Sequence, residues 1–278
     1  MNEANANTEL TLTPGPDGVL LLTTDGVSAM QAADEDGVAV FAADAIVIGA
    51  GEAMVVRAPD GRPVKVRAAR LEVADGGRVL VEAHAELHFD RAVFARESPL
   101  WFVGADGRPG TRGLDRQRGG VLVPDGEQHG QPGGDGEPGG AGQPGPGGRV
   151  YVGELQGTLT VIAGGGNGGA GGGGGRGGDG GLSQSFIPGD GGDGGRGGLG
   201  GHGGDGGTVL IAFGRLGAGA TINPVTKPAV GGDGAAGGAG GTGAQGPLGR
   251  TGQPGRAGEP GKHGHNGAVP VFLIRSGD

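Results

Sequence analysis

Five polar residues between positions 82 and 90 have the types and spacing that could hold a metal. Glu82, His84, Glu86, His88 and Asp90 alternate with Ala83, Ala85, Leu87 and Phe89, and on one β-strand that alternation puts all five side chains on the same face. Imidazoles and carboxylates together suit zinc or another divalent ion. The same pattern equally describes a solvated strand face paired with Lys65 and Arg67 on a neighbouring strand. This second reading is the expectation, so no metal centre is expected, and Glu82, His84, Glu86 and His88 are the residues to follow.

Other chemistry-bearing residues are scattered. His263 and His265 flank Gly264, with His129 and His202 elsewhere in the chain; on a threefold helix, residues two apart leave on different faces. Asp179, Asp190, Asp193, Asp205 and Asp233 invite comparison with calcium-binding glycine-rich nonapeptides, but the alternating aliphatic position of those repeats is missing. Pairing with arginines such as Arg176 and Arg196 is expected instead, each pair weak on its own. Ser183 and Ser185 have no evident base. Neither a nucleophile elbow, a phosphate-binding loop nor an H-E-x-x-H helix occurs. The glycines from Gly164 follow a strand pattern without opening a helix, which excludes a dinucleotide fingerprint. No enzyme and no cofactor are expected.

Composition narrows the classes further. Of 278 residues, 34% are hydrophobic and 3% aromatic, too little core material for an enzyme-like α/β domain. A net charge of -9, with one Trp and one Tyr for stacking, argues against nucleic acid. The absence of cysteine rules out disulfides and thiolate metal sites. No apolar run is long enough to span a bilayer, and the opening MNEANANTELTLTPGPDG has neither the basic nor the apolar part of a signal peptide.

The elements that must position these residues divide the chain in two. Residues 1–103 read as short strands at 10–13, 19–23, 38–41, 45–48, 54–57, 64–67, 71–73, 79–89 and 100–103, separated by Asp-Gly and Gly-rich turns. They form a β-rich domain, either a short-stranded β-solenoid or a sandwich, with the solenoid favoured by the scarcity of large aromatics. In 104–278, β rungs at 149–163, 208–225 and 269–275 alternate with glycine-rich arms at 104–148, 164–207 and 230–267.

The arms hold most of the 75 glycines. From Gly231 to Gly267 every third residue is glycine, and from Gly189 to Gly207 only Asp190, Asp193, Arg196, Leu199, His202 and Asp205 are not. A period of three matches polyproline II geometry, whose backbone makes no hydrogen bonds to itself. Disorder, a collagen trimer and side-by-side polyglycine II helices all fit glycine-rich tracts. The unbroken phase, with only Pro247, Pro254 and Pro260 in the last arm, favours polyglycine II. Ordering each residue costs about 1–2 kcal/mol, so isolated legs would not hold; a bundle anchored at its root would.

Each arm must leave one rung and return to the next, so each is expected to be a hairpin. Its tip in the second arm is Leu182, Ser183, Gln184, Ser185, Phe186, Ile187 and Pro188; in the third it lies near Pro247 and Leu248; in the first it is the irregular 114–128. Two glycines in three allow close neighbours on two sides, which predicts the second arm in the middle.

These Gly-Gly-X and Gly-X-Y legs, as in GGDGGRGGLGGHGGDGG beside TVLIAF, resemble the polyglycine II bundles of springtail antifreeze proteins and of T-even-like phage tail-tip adhesins, and glycine-rich segments of bacterial surface proteins. The resemblance covers residues 104–278. It implies binding loops at the arm tips on the adhesin pattern, and a flat small-residue face on the antifreeze pattern, from which Arg176, Arg196, Arg250, Arg256, Glu259 and Lys262 depart. The expected function is a non-enzymatic extracellular or cell-surface structural protein that self-assembles into a filament or layer as a homo-oligomer. A receptor-binding adhesin using its tips on a cell-surface receptor is the alternative, and an ice-binding protein a minor one. Neither a nucleic-acid partner nor a membrane span is expected.

Overall fold

A hydrophobic residue at every second position, interrupted by tight turns, gives strands, and strands are what the chain forms. The computed structural model describes residues 10–14, 17–23, 31–33, 37–246, 251–259 and 261–276. Among them there is no helix, and the protein is all-β. Three short strands, β1 (Thr11–Leu12), β2 (Val19–Thr23) and β3 (Gln31–Ala33), come first. The chain then winds through repeated turns of one long and one short strand. These are β4 (Ala39–Ile48) and β5 (Ala53–Arg57), β6 (Val64–Val73) and β7 (Arg78–Val81), then β8 (Ala85–Phe94) and β9 (Leu100–Val103).

After a small strand β10 (Val121–Val123), the next turn is a single 17-residue strand, β11 (Gly148–Gly164), which serves both rows. Past β12 (Leu182–Ser183), the last turns are β13 (Thr208–Leu216), β14 (Thr221–Thr226) and β15 (Val271–Ser276). Thirteen strands make one nearly closed sheet, in the order β1-β4-β6-β8-β11-β9-β7-β5-β2 with β13, β14, β15 and β3 attached. Every pairing in it is parallel except β3 with β4.

Register stacks like on like. Phe41 pairs with Val66, Val66 with Leu87, Leu87 with Val150, and Val150 with Ile211, and all five are buried. In the short-strand row Met54, Val79, Leu100 and Val161 form a second inward column. Where the columns meet, sizes compensate: the Phe102 ring occupies the space a side chain at Gly148 would need.

Several boundaries differ from those read in the sequence. Segments 38–41 and 45–48 join as β4, and 64–67 and 71–73 join as β6. In both long strands the alternation of buried and exposed residues slips partway along, as in β8 at the successive exposed residues Asp90 and Arg91. A slip in alternation looks like a strand end in one dimension. Conversely, 79–89 is cut in two, because the chain turns a corner at 82–84 between β7 and β8.

That corner is where the arms grow. The passages after β5 and β7 take only 58–63 and 82–84; those after β9, β11 and β14 take 104–147, 165–207 and 227–270. Each arm is an antiparallel hairpin: Gly192 N donates to Gly178 O, Gly195 to Gly175 and Gly198 to Gly172 in the second, at 2.8–2.9 Å. Parallel bonds tie arm to arm. Gly107 N donates to Asn167 O at 2.7 Å, Gly171 N to Asp233 O at 2.9 Å and Gly194 N to Arg256 O at 2.8 Å. The second arm bonds to both others and lies between them.

Candidate functional site

The corner at 82–84 dismantles the five-residue polar face. Glu82 sits at the turn and accepts from Arg57 Nε at 2.6 Å, while the His84 carbonyl accepts from the Val64 amide at 3.0 Å. Neither shares a strand with Glu86, His88 and Asp90. Glu86, on β8, faces Lys65 at 3.5 Å and Arg149 at 3.1 Å, the cross-strand pairing expected of a solvated face. Arg67 is in register with His88 rather than with a carboxylate, and the His88 ring leans on Tyr151 at 5.5 Å. A shallow depression of about 360 Å³ lies here, lined by Ala43, Arg67, Ala68, His88 and Asp90 among others. Among the described residues no three metal-ligating side chains converge.

In the arms the acidic residues do something the sequence reading missed. Each leg repeats three amide positions, two of which find backbone acceptors in the middle arm. The third belongs to the residue carrying a side chain, and its amide has no carbonyl opposite. Where the facing residue of the preceding arm is an aspartate, its carboxylate takes it. Asp106 Oδ1 accepts from Asn167 N, Asp115 Oδ1 from Arg176 N and Asp135 Oδ1 from Arg196 N, all at 2.7 Å. One arm further on, Asp179, Asp190 and Asp193 accept from Thr242 N, Gln253 N and Arg256 N at 2.7 Å, and Asp205 from Ala268 N at 2.8 Å. An orphan amide is costly to leave unmade, and an ionised acceptor strengthens the bond.

The inter-leg Asp–Arg pairing expected from sequence is therefore replaced. Arg176 does meet Asp179, but within its own leg, at 2.6 Å. Two histidines play the carboxylate's part: His129 Nδ1 accepts from Asp190 N at 3.0 Å and His202 Nδ1 from His265 N at 2.9 Å. His202 and His265 stack nearly parallel at 5.1 Å, and His263 lies 3.1 Å from Asp233. Partners of the amide-capping contacts lie 61 or 63 residues apart, which explains why no local motif betrayed them. The only sequence signal is that aspartates fall in the side-chain phase of the repeat.

These bonds leave an electrostatic trace. Two hydrogen bonds from Thr242, through its amide and its hydroxyl, hold the Asp179 carboxyl below the usual range, with Arg176 assisting. On the sheet, Gln156 and then Arg215 lower Glu154 likewise.

At the far end, the first two tips are joined. β10 and β12 pair in parallel, Gln184 N donates to Val123 O at 2.8 Å, and Ser185 Oγ lies 3.1 Å from Asp125 Oδ2. Ser183 is buried and its Oγ accepts from the Ile187 amide, so Ser183 serves the loop's own hydrogen bonding while Ser185 links the two tips. Leu122 and Phe186 adopt left-handed backbone conformations, with φ of 58° and 57°, and both are more than half exposed. Ile187 is also exposed; Leu182 bridges to Pro188. Pro247 and Leu248 lie outside the described residues.

Comparison of the chain with protein-family models, with curated proteins and with solved structures finds no match.

Proposed function

We propose that this is a non-enzymatic, extracellular structural protein in which a β-solenoid roots a bundle of polyglycine II helices, and that copies assemble end to end into a filament or layer. The bundle reading draws its support from hydrogen bonds that recur at every third residue between six legs, the periodicity polyproline II geometry requires. The solenoid reading draws its support from parallel, in-register stacking of successive turns around inward columns. An extracellular setting rests on the likeness of the Gly-Gly-X legs to those of surface proteins.

Assembly rests on one observation above all, the state of β15. Among the described residues it pairs with β13 alone, and Val271, Leu273 and Ile274 are 51%, 53% and 46% exposed, whereas Ile211, stacked against Ile274, is fully buried. An unpaired, apolar strand edge is a template for another chain. Wild-type protein should form elongated particles by negative-stain electron microscopy, and Val271→Lys with Leu273→Lys should leave single copies. Wild type that stays monomeric across salt and pH would sink the reading.

One observation favours a second reading, a tip-binding adhesin. Left-handed backbone at exposed non-glycine residues costs energy and gathers at functional sites, and Leu122 and Phe186 are the two such residues described.

A further inference from the structure

Charged side chains on the outer face of the long strands pair in two rows. Lys65, Glu86 and Arg149 form a chain of ion pairs at 3.5 and 3.1 Å across β6, β8 and β11. Past the slip in alternation, Arg70 pairs with Glu72 at 3.6 Å and Arg215 with Glu154 at 2.6 Å. Between those rows the pairing stops. Arg67, His88 and Asp90 are exposed, and among the described residues none of their side chains makes an ion pair or a hydrogen bond, nor does the Tyr151 hydroxyl. Within the set, the His88 and Tyr151 rings lie 5.5 Å apart, tilted by 36°.

Register brings these four residues together. Ala42, Arg67, His88, Tyr151 and Ala212 are successive partners across β4, β6, β8, β11 and β13, so they form one outward row. Asp90 flanks that row at the slip. Beside it the chain carries small residues, Ala43 and Ala69 on the earlier strands and Gly153 and Gly214 on the later ones. At Gly153 a Cβ would stand 2.5 Å from the Asp90 carbonyl, so nothing larger fits. The floor is therefore low, and the depression of about 360 Å³ at Arg67 and Asp90 continues past His88 into a second of about 170 Å³ at Tyr151 and Phe213. Five strands about 4.8 Å apart make this groove roughly 19 Å long.

The groups that meet in the groove select a ligand between them. An anion would suit Arg67 but is repelled by Asp90, and a purely apolar molecule would cover both charges without pairing either. A compact molecule is enclosed poorly by an open, elongated site. What remains is an extended chain with hydroxyls for Asp90 and Arg67 to bond and apolar ring faces to lie against His88 and Tyr151. We propose that this groove binds a neutral polysaccharide, with Asp90 accepting from its hydroxyls, Arg67 donating to them and Tyr151 lying under a sugar ring. The site is built from β4, β6, β8, β11 and β13 alone, so it stands or falls apart from assembly through β15 and from the polyglycine II arms.

The test is binding of the wild-type chain to immobilised dextran, xylan, galactomannan and mixed-linkage glucan by biolayer interferometry, with alginate as an acidic comparison. At least one neutral polymer should bind, and alginate should bind more weakly. Asp90→Ala and Tyr151→Ala should each weaken binding by about tenfold or more, the loss expected for one hydrogen bond to a charged group or one stacked ring, and Tyr151→Phe should stay close to wild type. Circular dichroism melts check that each variant folds. If Tyr151→Ala does not, Asp90→Ala and Arg67→Ala, both at exposed positions, decide the matter. The chain with 182–188 replaced by glycine and serine should bind as the wild type does. Binding of alginate alone, no binding to any neutral polymer, wild-type affinity in the folded groove variants, or loss of binding on replacing the tip each overturns the proposal.

Discussion

Asp179 shows how one side chain ties two arms. Its Oδ1 accepts from the amide and the hydroxyl of Thr242 and pairs with Arg176 Nη2 at 2.6 Å. All three favour the ionised form, so its folded pKa is depressed. For a depressed carboxyl the stabilisation is fully present above the unfolded value, about 3.9, and is lost as pH falls through the lower folded value. Exchange of the Thr242 amide should therefore accelerate only on acidification below that range. Asp179→Asn, which keeps an acceptor but cannot titrate, should flatten the acid limb; Asp179→Ala should expose the amide at every pH. An acid limb that survives in the Asn variant assigns it to another group. The aspartates were visible in the sequence, but their partners were not. A carboxylate beside an arginine reads as an ion pair, whereas an orphan amide 63 residues away appears only once two hairpins are laid side by side. At Glu82 and His84 the error ran the other way, since alternation alone cannot distinguish a continuing strand from a corner.

Among the elements, the arms were the most legible, because a period of three admits few backbone conformations. Glycine density also ordered them: in the middle arm a Cβ on Gly174 would meet the Gly195 carbonyl and the Gly238 amide of the third arm, and one on Gly175 the Leu114 carbonyl of the first, so both positions of that Gly-Gly pair face a neighbour. The strands were read less well where the alternation slips within one strand, as at Asp90 and Arg91. At the tips the sequence marked 182–188 as irregular but gave no hint that β12 would pair with β10 of the first arm. That pairing gives the tip a test of its own. Replacing 182–188 with glycine and serine removes the strained Phe186 and the exposed Ile187 while leaving the periodic legs in place. If the second reading holds, the variant loses attachment to whatever surface the wild type adheres to, and edge assembly through β15 continues unchanged. Retained attachment, or lost assembly, removes the tip from consideration as a recognition surface.

At the scale of the molecule, the β turns set the spacing and the arms inherit it. Parallel strands sit about 4.8 Å apart, and arms leaving the same corner of adjacent turns start in register, which is why Gly104 donates to Gly164 O at the root and Gly119 to Asp179 O near the tip without a slip. Burial holds the turns together independently of what hangs from their corners, for 82–84 closes the corner between β7 and β8 with no arm at all. The second arm is then removable in principle, while the first and third are not independent of it. Replacing 165–207 with the corner sequence Glu-Ala-His should leave the β11–β13 register and the melting of the sheet close to wild type, since none of the inward columns is touched. The outer arms, however, would each lose the neighbour that accepts from Gly107, Gly110 and Gly113 and donates from Gly168, Gly171 and Gly174. Their amides should exchange as in an unfolded chain, because two-leg hairpins offer too few hydrogen bonds, at about 0.5–1.5 kcal/mol net each, against an ordering cost of about 1–2 kcal/mol per residue. Outer arms that stay protected without the middle one would mean that the hairpins are self-sufficient, and that the sheet beneath them does not organise the bundle.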